Sequence, residues 1–417
     1  MRTVPRLWLL ALLMAMAMPA KSADTVKIAF IDALSGPNAD IGFTNLKQYQ
    51  QAVAYANANG GALGLDLELV PLDDGSSVKR ALEHLELAIH QGIRYVTQGN
   101  DPEIAIALAK AIDAHNQKNP SRAVVFLNYG DGAPQLDNEA CSFWQFRFDA
   151  SFAMKTRALV AAIPADGSVQ SIYLLNQDNP WGQSASREMQ RVLSEQRPEI
   201  RILGDELHPL SQVKDFSGYV AHILDSGADA IMTADRGADL VGFMSALSKT
   251  GQEKYVYILS NSVSTVPAAV GKYGSGHITG VFTWHANIGS NLIDDYAASY
   301  RAEQGADWNG LPGYVAIEML VTSMQTARST DPSLVARTLE GLSFLGAAGP
   351  VAIRDDNHQL LQPLFIATLD ALPDGSGTAA ASSKLGWKTQ VRMEPGDNEL
   401  ETSCQMQKPS EPGKRNQ

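Results

Sequence analysis

The feature that most constrains the fold is a strand–turn–helix unit near the start of the chain. Val26–Ile31 is a largely apolar run typical of a buried strand, and Ser35-Gly36-Pro37 then makes a tight turn. An amphipathic run follows and ends at Asn59-Gly60-Gly61. In an open α/β sheet, ligands bind outside the carboxyl ends of the strands, where such turns lie. The unit therefore predicts an α/β protein that binds a small molecule.

Strand and helix patterns alternate along most of the remaining chain. Apolar runs predict further strands at Leu67–Pro71, Arg94–Thr97, Ala123–Leu127, Ser171–Leu175, Ala230–Thr233 and Tyr255–Leu259. Helical spacing between them is clear at Val78, Leu82, Leu85 and Ile89, with Ser77 as an N-cap candidate. Asp215 is a second N-cap candidate. This alternation predicts parallel sheets covered by helices on both faces, and 417 residues are enough for two such lobes.

The first residues predict an export signal. Arg2 and Arg6 precede the apolar run Leu7–Met18, and small residues follow it. Twelve apolar residues are too few to span about 30 Å of bilayer hydrocarbon. We expect cleavage after Ser22 or Ala23 and a mature protein in the periplasm, with no insertion into the membrane.

Charge and cysteine content narrow the class of protein further. The net charge of −12 disfavours nucleic acid as a partner, because the phosphate backbone would be repelled. Cys141 and Cys404 are the two cysteines of the chain. In an oxidising compartment such a pair predicts a disulfide, which would attach the C-terminal tail to the first lobe. The alternative is two unconnected thiols.

Catalytic and metal-binding signatures do not emerge from the sequence. Gly130-Asp131-Gly132 follows a predicted strand, but Gln135 stands where a dinucleotide loop needs its third glycine. Gly182–Ser186 lacks the closing glycine of a nucleophile elbow. His84 and His90 are six residues apart, which does not place two metal ligands on one helix face. We expect a protein that is not an enzyme and has no cofactor and no metal.

Several short motifs occur together in a recognisable order. They are Leu34-Ser35-Gly36-Pro37, Asn59-Gly60-Gly61, Leu72-Asp73-Asp74, Phe146-Arg147, Asp215-Phe216-Ser217, Ser226-Gly227-Ala228-Asp229-Ala230 and Asp356-Asn357-His358-Gln359. In this order and spacing the chain, from about Val26 to Leu369, resembles the type I periplasmic solute-binding proteins of ABC transporters. The resemblance is to the leucine/isoleucine/valine-binding branch.

The resemblance implies two doubly wound α/β lobes joined by a three-strand hinge, which close on a trapped solute. The divisions are then a signal peptide at 1–23, lobe 1 at 24–148 plus 281–349, lobe 2 at 149–280 plus 350–395, and a tail at 396–417. A monomer that delivers its ligand to the permease subunits of the transporter is expected. The alternative is a soluble ligand-sensing subunit for a membrane receptor or kinase.

The family places its ligand contacts in loops at the strand ends that face the cleft. The candidates at matching positions are Asn100, Asp101, Tyr129, Asp131, Gly132, Trp181, Asp235, Arg236, Asn261, Ser262 and Tyr314. Pro102 and Gly132, or a neighbour of each if the register shifts by one, stand where amino-acid binders have hydroxyls for the ligand carboxylate. Asn261-Ser262 stands where those proteins have an acidic contact to the ammonium group of the ligand. Some relatives also form a disulfide near the second strand, but Asp74-Gly75-Ser76 contains no cysteine.

These departures suggest a ligand with one carboxylate and an apolar or aromatic body, with a branched-chain amino acid as the other option. Arg236 would bind the carboxylate, and Tyr129, Trp181 and Tyr314 would hold the body between them. The alternatives are structural. In these alternatives, Arg236 pairs with Asp235, Asp239 or another surface acid, and Trp181 only packs against the hinge. Tyr129 and Asp131 then belong to an ordinary turn, and Tyr314 is a core residue of its helix.

Overall fold

The computed structural model describes residues 25–259, 266–372, 379 and 383–409. The expected signal peptide and two site candidates, Asn261 and Ser262, lie outside these ranges. Across the described ranges, no helix is both long and apolar enough to cross a membrane.

The first sheet has five parallel strands in the order β2-β1-β3-β4-β5. Its strands are β1 Val26–Asp32, β2 Leu67–Asp73, β3 Tyr95–Gln98, β4 Val125–Asn128 and β5 Gln145–Arg147. Its connecting helices are α1 Ala39–Ala58, α2 Val78–His90 and α3 Pro102–Lys118. Every residue of β3 and β4 is buried, as expected for a parallel sheet covered on both faces.

The second lobe repeats this plan with five more parallel strands. They are β6 Ser171–Asp178, β7 Arg201–Pro209, β8 Ala230–Thr233, β9 Tyr255–Ile258 and β10 Ile278–Phe282. The helices are α4 Phe152–Ala161, α5 Pro180–Gln196, α6 Ser217–Ser226, α7 Gly237–Lys249 and α8 Val266–Val270. The strand order reverses beside β6, so a switch point and its crevice lie at the carboxyl ends of β6 and β8.

The rest of the chain returns to the first lobe and then completes the second sheet. The helices of this part are α9 Asn291–Gln304, α10 Leu311–Ala327 and α11 Pro332–Leu339, and α10 packs on α1. A small antiparallel sheet follows, formed by β11 Ser343–Gly346, β12 Gly349–Ile353 and β13 Leu360–Leu361. β14 Leu364–Ala371 and β15 Leu385–Met393 then extend the second sheet to the order β15-β14-β10-β9-β8-β6-β7.

This arrangement differs in detail from the boundaries predicted at 281 and 350. β10 stays in the second sheet through Phe282, because Val281 and Phe282 pair with Ile366 and Phe365 of β14. Residues 343–361 form the separate small sheet, which touches the first sheet through a bridge between Arg147 and Gln359. Strand pairing between distant segments decides these limits, and local sequence does not reveal it.

Local sequence explains where the helices begin. Ser77 accepts a hydrogen bond from Arg80 N at the start of α2, as predicted. Asp215 accepts from Ser217 N at 2.9 Å but lies one residue before the α6 N-cap, Phe216. Asn179 caps α5 by accepting from Gly182 N at 2.8 Å, which fixes the loop after β6. Ser77 and Asn179 thus fix the starts of two helices directly after the ends of β2 and β6.

A disulfide joins Cys141 to Cys404, with 5.7 Å between their Cα atoms. It spans 263 positions in sequence and ties the C-terminal segment to the loop before β5. Of the two alternatives left by the sequence, the structure contains the bonded pair.

Candidate functional site

A cavity of about 80 Å³ lies between the two lobes, at the carboxyl ends of their central strands. Gly99, Tyr129 and Asp131 line it from the loops after β3 and β4. Trp181 lines it from the first turn of α5, and Arg236 lines it from the loop after β8. Because both sheets direct their strand ends here, the cavity occupies the place where an open α/β sheet binds ligands.

Arg236 connects the lobes across this cavity. One guanidinium nitrogen donates to the backbone carbonyl of Asn100 at 2.9 Å, and the guanidinium carbon lies 3.9 Å from the centre of the Trp181 ring. Only 5% of Arg236 is exposed, and its Nε has no hydrogen-bond partner among the described residues. Burial lowers the pKa of Arg236 to about 10, against the opposing effect of Asp131 and Asp32. The side chain therefore stays charged at neutral pH with one donor to spare.

A buried ionic cluster adjoins the cavity, which its members Asp131 and Asp149 line. Lys155 of α4 donates to Asp131 at 2.6 Å and to Asp149 at 2.8 Å, and the lysine is fully buried. Burial opposes the charge of Lys155, but the two carboxylates outweigh it and raise its pKa. Burial raises the pKa of Asp149 to about 6 despite the nearby lysine. The second oxygen of Asp131, Oδ1, has no partner in the described structure, so it can accept a hydrogen bond.

Asp32, the last residue of β1, lies behind Tyr129. The Tyr129 hydroxyl donates to its carboxylate, and Ala33 N donates to the other oxygen at 2.7 Å. Burial and, secondarily, the nearby charge of Asp74 raise the pKa of Asp32 to about 8. Asp32 is therefore mostly protonated at pH 7 and adds little negative charge to the cavity wall.

The described part of the chain brings no three His, Cys, Asp or Glu side chains into an arrangement that could hold a metal ion. The charged side chains that line the cavity are instead the guanidinium of Arg236 and the carboxylates of Asp131 and Asp149, with the side-chain amides of Asn45, Gln48 and Asn309 beside them. Such a set binds and orients a polar solute.

A sequence profile described as "Periplasmic binding protein" matches residues 25–377, which is most of the chain. The chain belongs to the periplasmic binding protein family. This confirms the family resemblance drawn from the short motifs and the predicted fold of two α/β lobes.

Relatives of this periplasmic binding protein match along almost its whole length. The "Leu/Ile/Val-binding protein homolog 4" of Brucella abortus is 25% identical over 407 residues, covering 93% of this chain and 94% of that protein. A leucine-, isoleucine-, valine-, threonine- and alanine-binding protein from Brucella ovis, solved in a closed conformation, has a TM-score of 0.80 at 20% identity, with 93% and 100% of the chains covered. A Rhodopseudomonas palustris solute-binding protein in complex with 3,4-dihydroxybenzoic acid has a TM-score of 0.74 at 16% identity, with 89% and 98% covered.

The structure of this periplasmic binding protein brings four predicted residues to the cavity wall: Tyr129, Asp131, Trp181 and Arg236. Asn100 adjoins them through its carbonyl contact with Arg236. The alternative for Arg236, an ion pair with Asp235 or Asp239, does not occur in the described structure. Asp235 instead forms a hydrogen bond with His208 at 2.7 Å, and Asp239 accepts one from Gln177 at 2.8 Å.

Other candidates have structural roles instead. Asp101 caps α3 by accepting from Glu103 N and Ile104 N. Gly132 packs against Pro102, and its carbonyl accepts from Arg147. Tyr314 lies outside the cavity, in an aromatic cluster with Tyr55, Tyr296 and Trp308.

The expected aromatic sandwich is therefore not assembled. Tyr314 is absent from the wall, and Tyr129 stacks on Phe30 at 6.1 Å between ring centres. The Arg236 guanidinium lies over the Trp181 ring. Phe152 contacts the same ring edge-on, with 4.6 Å between the ring centres. These contacts occupy ring surface that the hypothesis reserved for the ligand.

Sequence reasoning missed Asp32, Asp149 and Lys155 as members of this site. Asp32 could have been found, because it ends a buried strand at the sheet edge where the other candidates lie. Asp149 is the first residue of lobe 2 in the division predicted from the sequence. Nothing in the sequence marks Lys155, since a lysine at the start of a helix is ordinarily exposed.

Proposed function

We propose that this protein is a periplasmic substrate-binding protein that closes its two lobes on a small solute and delivers it to an ABC importer. The single observation that carries the proposal is the interlobe cavity bridged by Arg236, with an unpaired donor and an unpaired acceptor buried in its wall. Unpaired buried polar groups are costly, and a bound solute would satisfy them. Two relatives support this assignment by their names, one a Leu/Ile/Val-binding protein homolog and the other a leucine-, isoleucine-, valine-, threonine- and alanine-binding protein.

The charges of the wall bear on the class of solute. At pH 7 the cations Arg236 and Lys155 balance the anions Asp131 and Asp149, because Asp32 remains mostly protonated. A zwitterion leaves this balance undisturbed. Its carboxylate would accept from Arg236, and its ammonium group would donate to Asp131 Oδ1. An α-amino acid therefore fits the wall better than a simple carboxylate does.

The size of the cavity points the same way. At about 80 Å³ it is smaller than the roughly 150 Å³ cavity that holds a benzene molecule in a protein core. A compact amino acid suits a cavity of this size, whereas an aromatic acid needs wider separation of the lobes. Aromatic acids are the second candidate, supported by the R. palustris neighbour that was solved with 3,4-dihydroxybenzoic acid.

Isothermal titration of the mature protein with aliphatic amino acids, aromatic amino acids and hydroxybenzoates tests the function. We expect an aliphatic amino acid to bind and to compact the protein in small-angle X-ray scattering. Arg236→Ala should weaken binding at least tenfold, because it removes a charge-assisted hydrogen bond. Arg201→Ala is the matched control, since Arg201 is exposed at the start of β7, the end of the second sheet opposite the cavity. Absence of binding heat with every compound would refute the function.

Periplasmic location and delivery need their own measurements. Amino-terminal sequencing of protein recovered from the periplasm should begin after Ser22 or Ala23. Uptake of the identified solute should fall when the gene is deleted and recover with the wild-type protein but not with Arg236→Ala. Normal uptake in the deletion strain would favour a sensing role over transport.

A further inference from the structure

A second cavity, about 530 Å³, opens beside the segment that leads from β10 back to the first lobe. We call it the tryptophan groove, after Trp284, Trp308 and Trp387 in its lining. Phe282 and Trp387 belong to the second sheet, whereas α9 of the returning segment supplies the opposite wall. Its volume lies within the range typical of small-molecule sites.

The groove is separate from the interlobe cavity but adjoins it. Asn309 lines both, and its side-chain oxygen accepts a hydrogen bond from Gln48 of α1. None of Tyr129, Trp181 and Arg236 lines the groove. A solute in the groove would therefore touch a different set of side chains from one between the lobes.

Aromatic rings make up the apolar part of the wall. Phe282 and Trp387 have ring centres 4.8 Å apart, and Trp284 and Trp308 have ring centres 4.9 Å apart. Indole faces attract cations more strongly than the rings of Phe or Tyr do.

Carboxylates make up the polar part. Asp307 pairs with Arg301, but Asp294 and Asp295 have no ion-pair partner in the described structure. Burial and the neighbouring charge of Asp295 raise the pKa of Asp294. His285 adds no positive charge at neutral pH, because burial lowers its pKa to about 4. The groove thus combines an excess of negative charge with aromatic surface.

We propose that the tryptophan groove is a second binding site, selective for small organic cations such as quaternary or alkylammonium compounds. The aromatic rings would contact the apolar substituents and the cationic centre, and Asp294 and Asp295 would supply the attraction that excludes anions. This inference does not depend on the solute between the lobes.

Three probes of similar shape and different charge test the proposal by isothermal titration at pH 7.5. They are choline, its uncharged isostere 3,3-dimethylbutan-1-ol, and the anion 3,3-dimethylbutanoate. We expect choline to bind at least tenfold more tightly than either of the others. Equal binding of the cation and its uncharged isostere would overturn the proposal.

Matched variants locate the site. The double variant Asp294→Asn/Asp295→Asn should weaken choline binding about tenfold or more. Glu303→Gln makes the same kind of change at an exposed position of the same helix and should have no effect. Arg236→Ala should also leave choline binding unchanged. Loss of choline binding in Arg236→Ala, or full binding in the double aspartate variant, would contradict a site in the groove.

Discussion

At the scale of single residues, Arg147 shows how a buried cation can shape a site that it does not line. It donates to Asp137 at 2.7 Å and to the backbone carbonyls of Gly130 and Gly132 at 2.6 Å, and to that of Ala133 at 2.8 Å. The two terminal nitrogens of the planar guanidinium thus bind three carbonyls of the loop after β4, which supplies Tyr129 and Asp131 to the cavity.

Arg147→Lys should lower the free energy of unfolding by about 2 kcal/mol or more, because an ammonium group cannot reach all of these acceptors and leaves buried carbonyls unpaired. Urea denaturation measures this. Arg187→Lys, at an exposed position of α5, should stay within about 0.5 kcal/mol of wild type. A similar small effect at Arg147 would mean that the loop does not depend on the guanidinium.

Asp32 is the residue whose titration should be visible in stability. An unfolded aspartate has a pKa near 3.9, whereas burial raises that of Asp32 to about 8. The protonated form stabilises the fold, so this contribution is complete below about pH 4 and is lost as the pH rises towards about 8.

Asp32→Asn should remove that loss. The wild type loses stability between pH 5 and pH 8, and the variant does not lose this part. The free energy of unfolding of the variant minus that of the wild type should therefore rise by more than about 1 kcal/mol over this range. Urea denaturation of both proteins at several pH values gives the difference. A difference that is flat across this range would show that Asp32 ionises normally in the folded protein.

At the scale of elements, the loops after β3 and β4 fit together only because both have glycine at their contact. A Cβ at Gly99 would lie 2.5 Å from Gly130 N and equally close to the Tyr129 ring. Backbone cannot yield easily at that distance, so a side chain at either position would push apart two loops of the candidate site.

Gly99→Ala should destabilise the protein by about 1–3 kcal/mol and weaken solute binding as well. Thermal unfolding and titration with the identified solute measure the two effects. Gly218→Ala is a suitable control, because a Cβ there meets nothing within 4 Å in helix α6 and should add up to about 1 kcal/mol of stability. Unchanged binding in Gly99→Ala would mean that the loop contact does not shape the site.

At the scale of the whole molecule, the disulfide Cys141–Cys404 attaches the end of the chain to the first lobe. Neighbouring contacts support it, since Ser403 N donates to Asn138 at 3.1 Å and Lys408 pairs with Glu340. The cross-link lies away from the interlobe cavity, whose lining includes neither cysteine. It should therefore affect stability more than binding.

The double variant Cys141→Ser/Cys404→Ser should lose roughly 2–4 kcal/mol of stability while keeping its affinity for the solute. Denaturation with and without reductant measures this. Reductant should destabilise the wild type and leave the variant unchanged. If the wild type denatures at the same midpoint with and without reductant, the cross-link does not contribute to stability.

Much of the fold was predictable because its signals are local. Alternating strand and helix patterns gave the two α/β lobes, and Ser77 marked a helix start correctly. The antiparallel pairing of β14 with β15 and the small sheet at 343–361 were not predicted. Their pairing joins segments that are far apart in sequence, so no local pattern reveals it.

The candidate site was predictable by position and less so by role. Loops after strands identified Tyr129, Asp131, Trp181 and Arg236, because parallel strands bring their carboxyl ends to one edge. Their partners came from elsewhere in the chain. Whether an aromatic ring contacts a solute or a neighbouring side chain depends on packing, which residue type alone does not specify.

By itself, the sequence determined the alternation of strands and helices, the edge at which a solute would bind and the membership of a binding-protein family. These follow from hydrophobic period, turn residues and motif order, all of which act over short stretches of chain. The tertiary structure alone decided that Arg236 reaches across to Asn100, that Lys155 is buried between two carboxylates and that Tyr314 belongs to another cluster. The physical reason is that charge and packing act between residues near in space, whatever their distance along the chain.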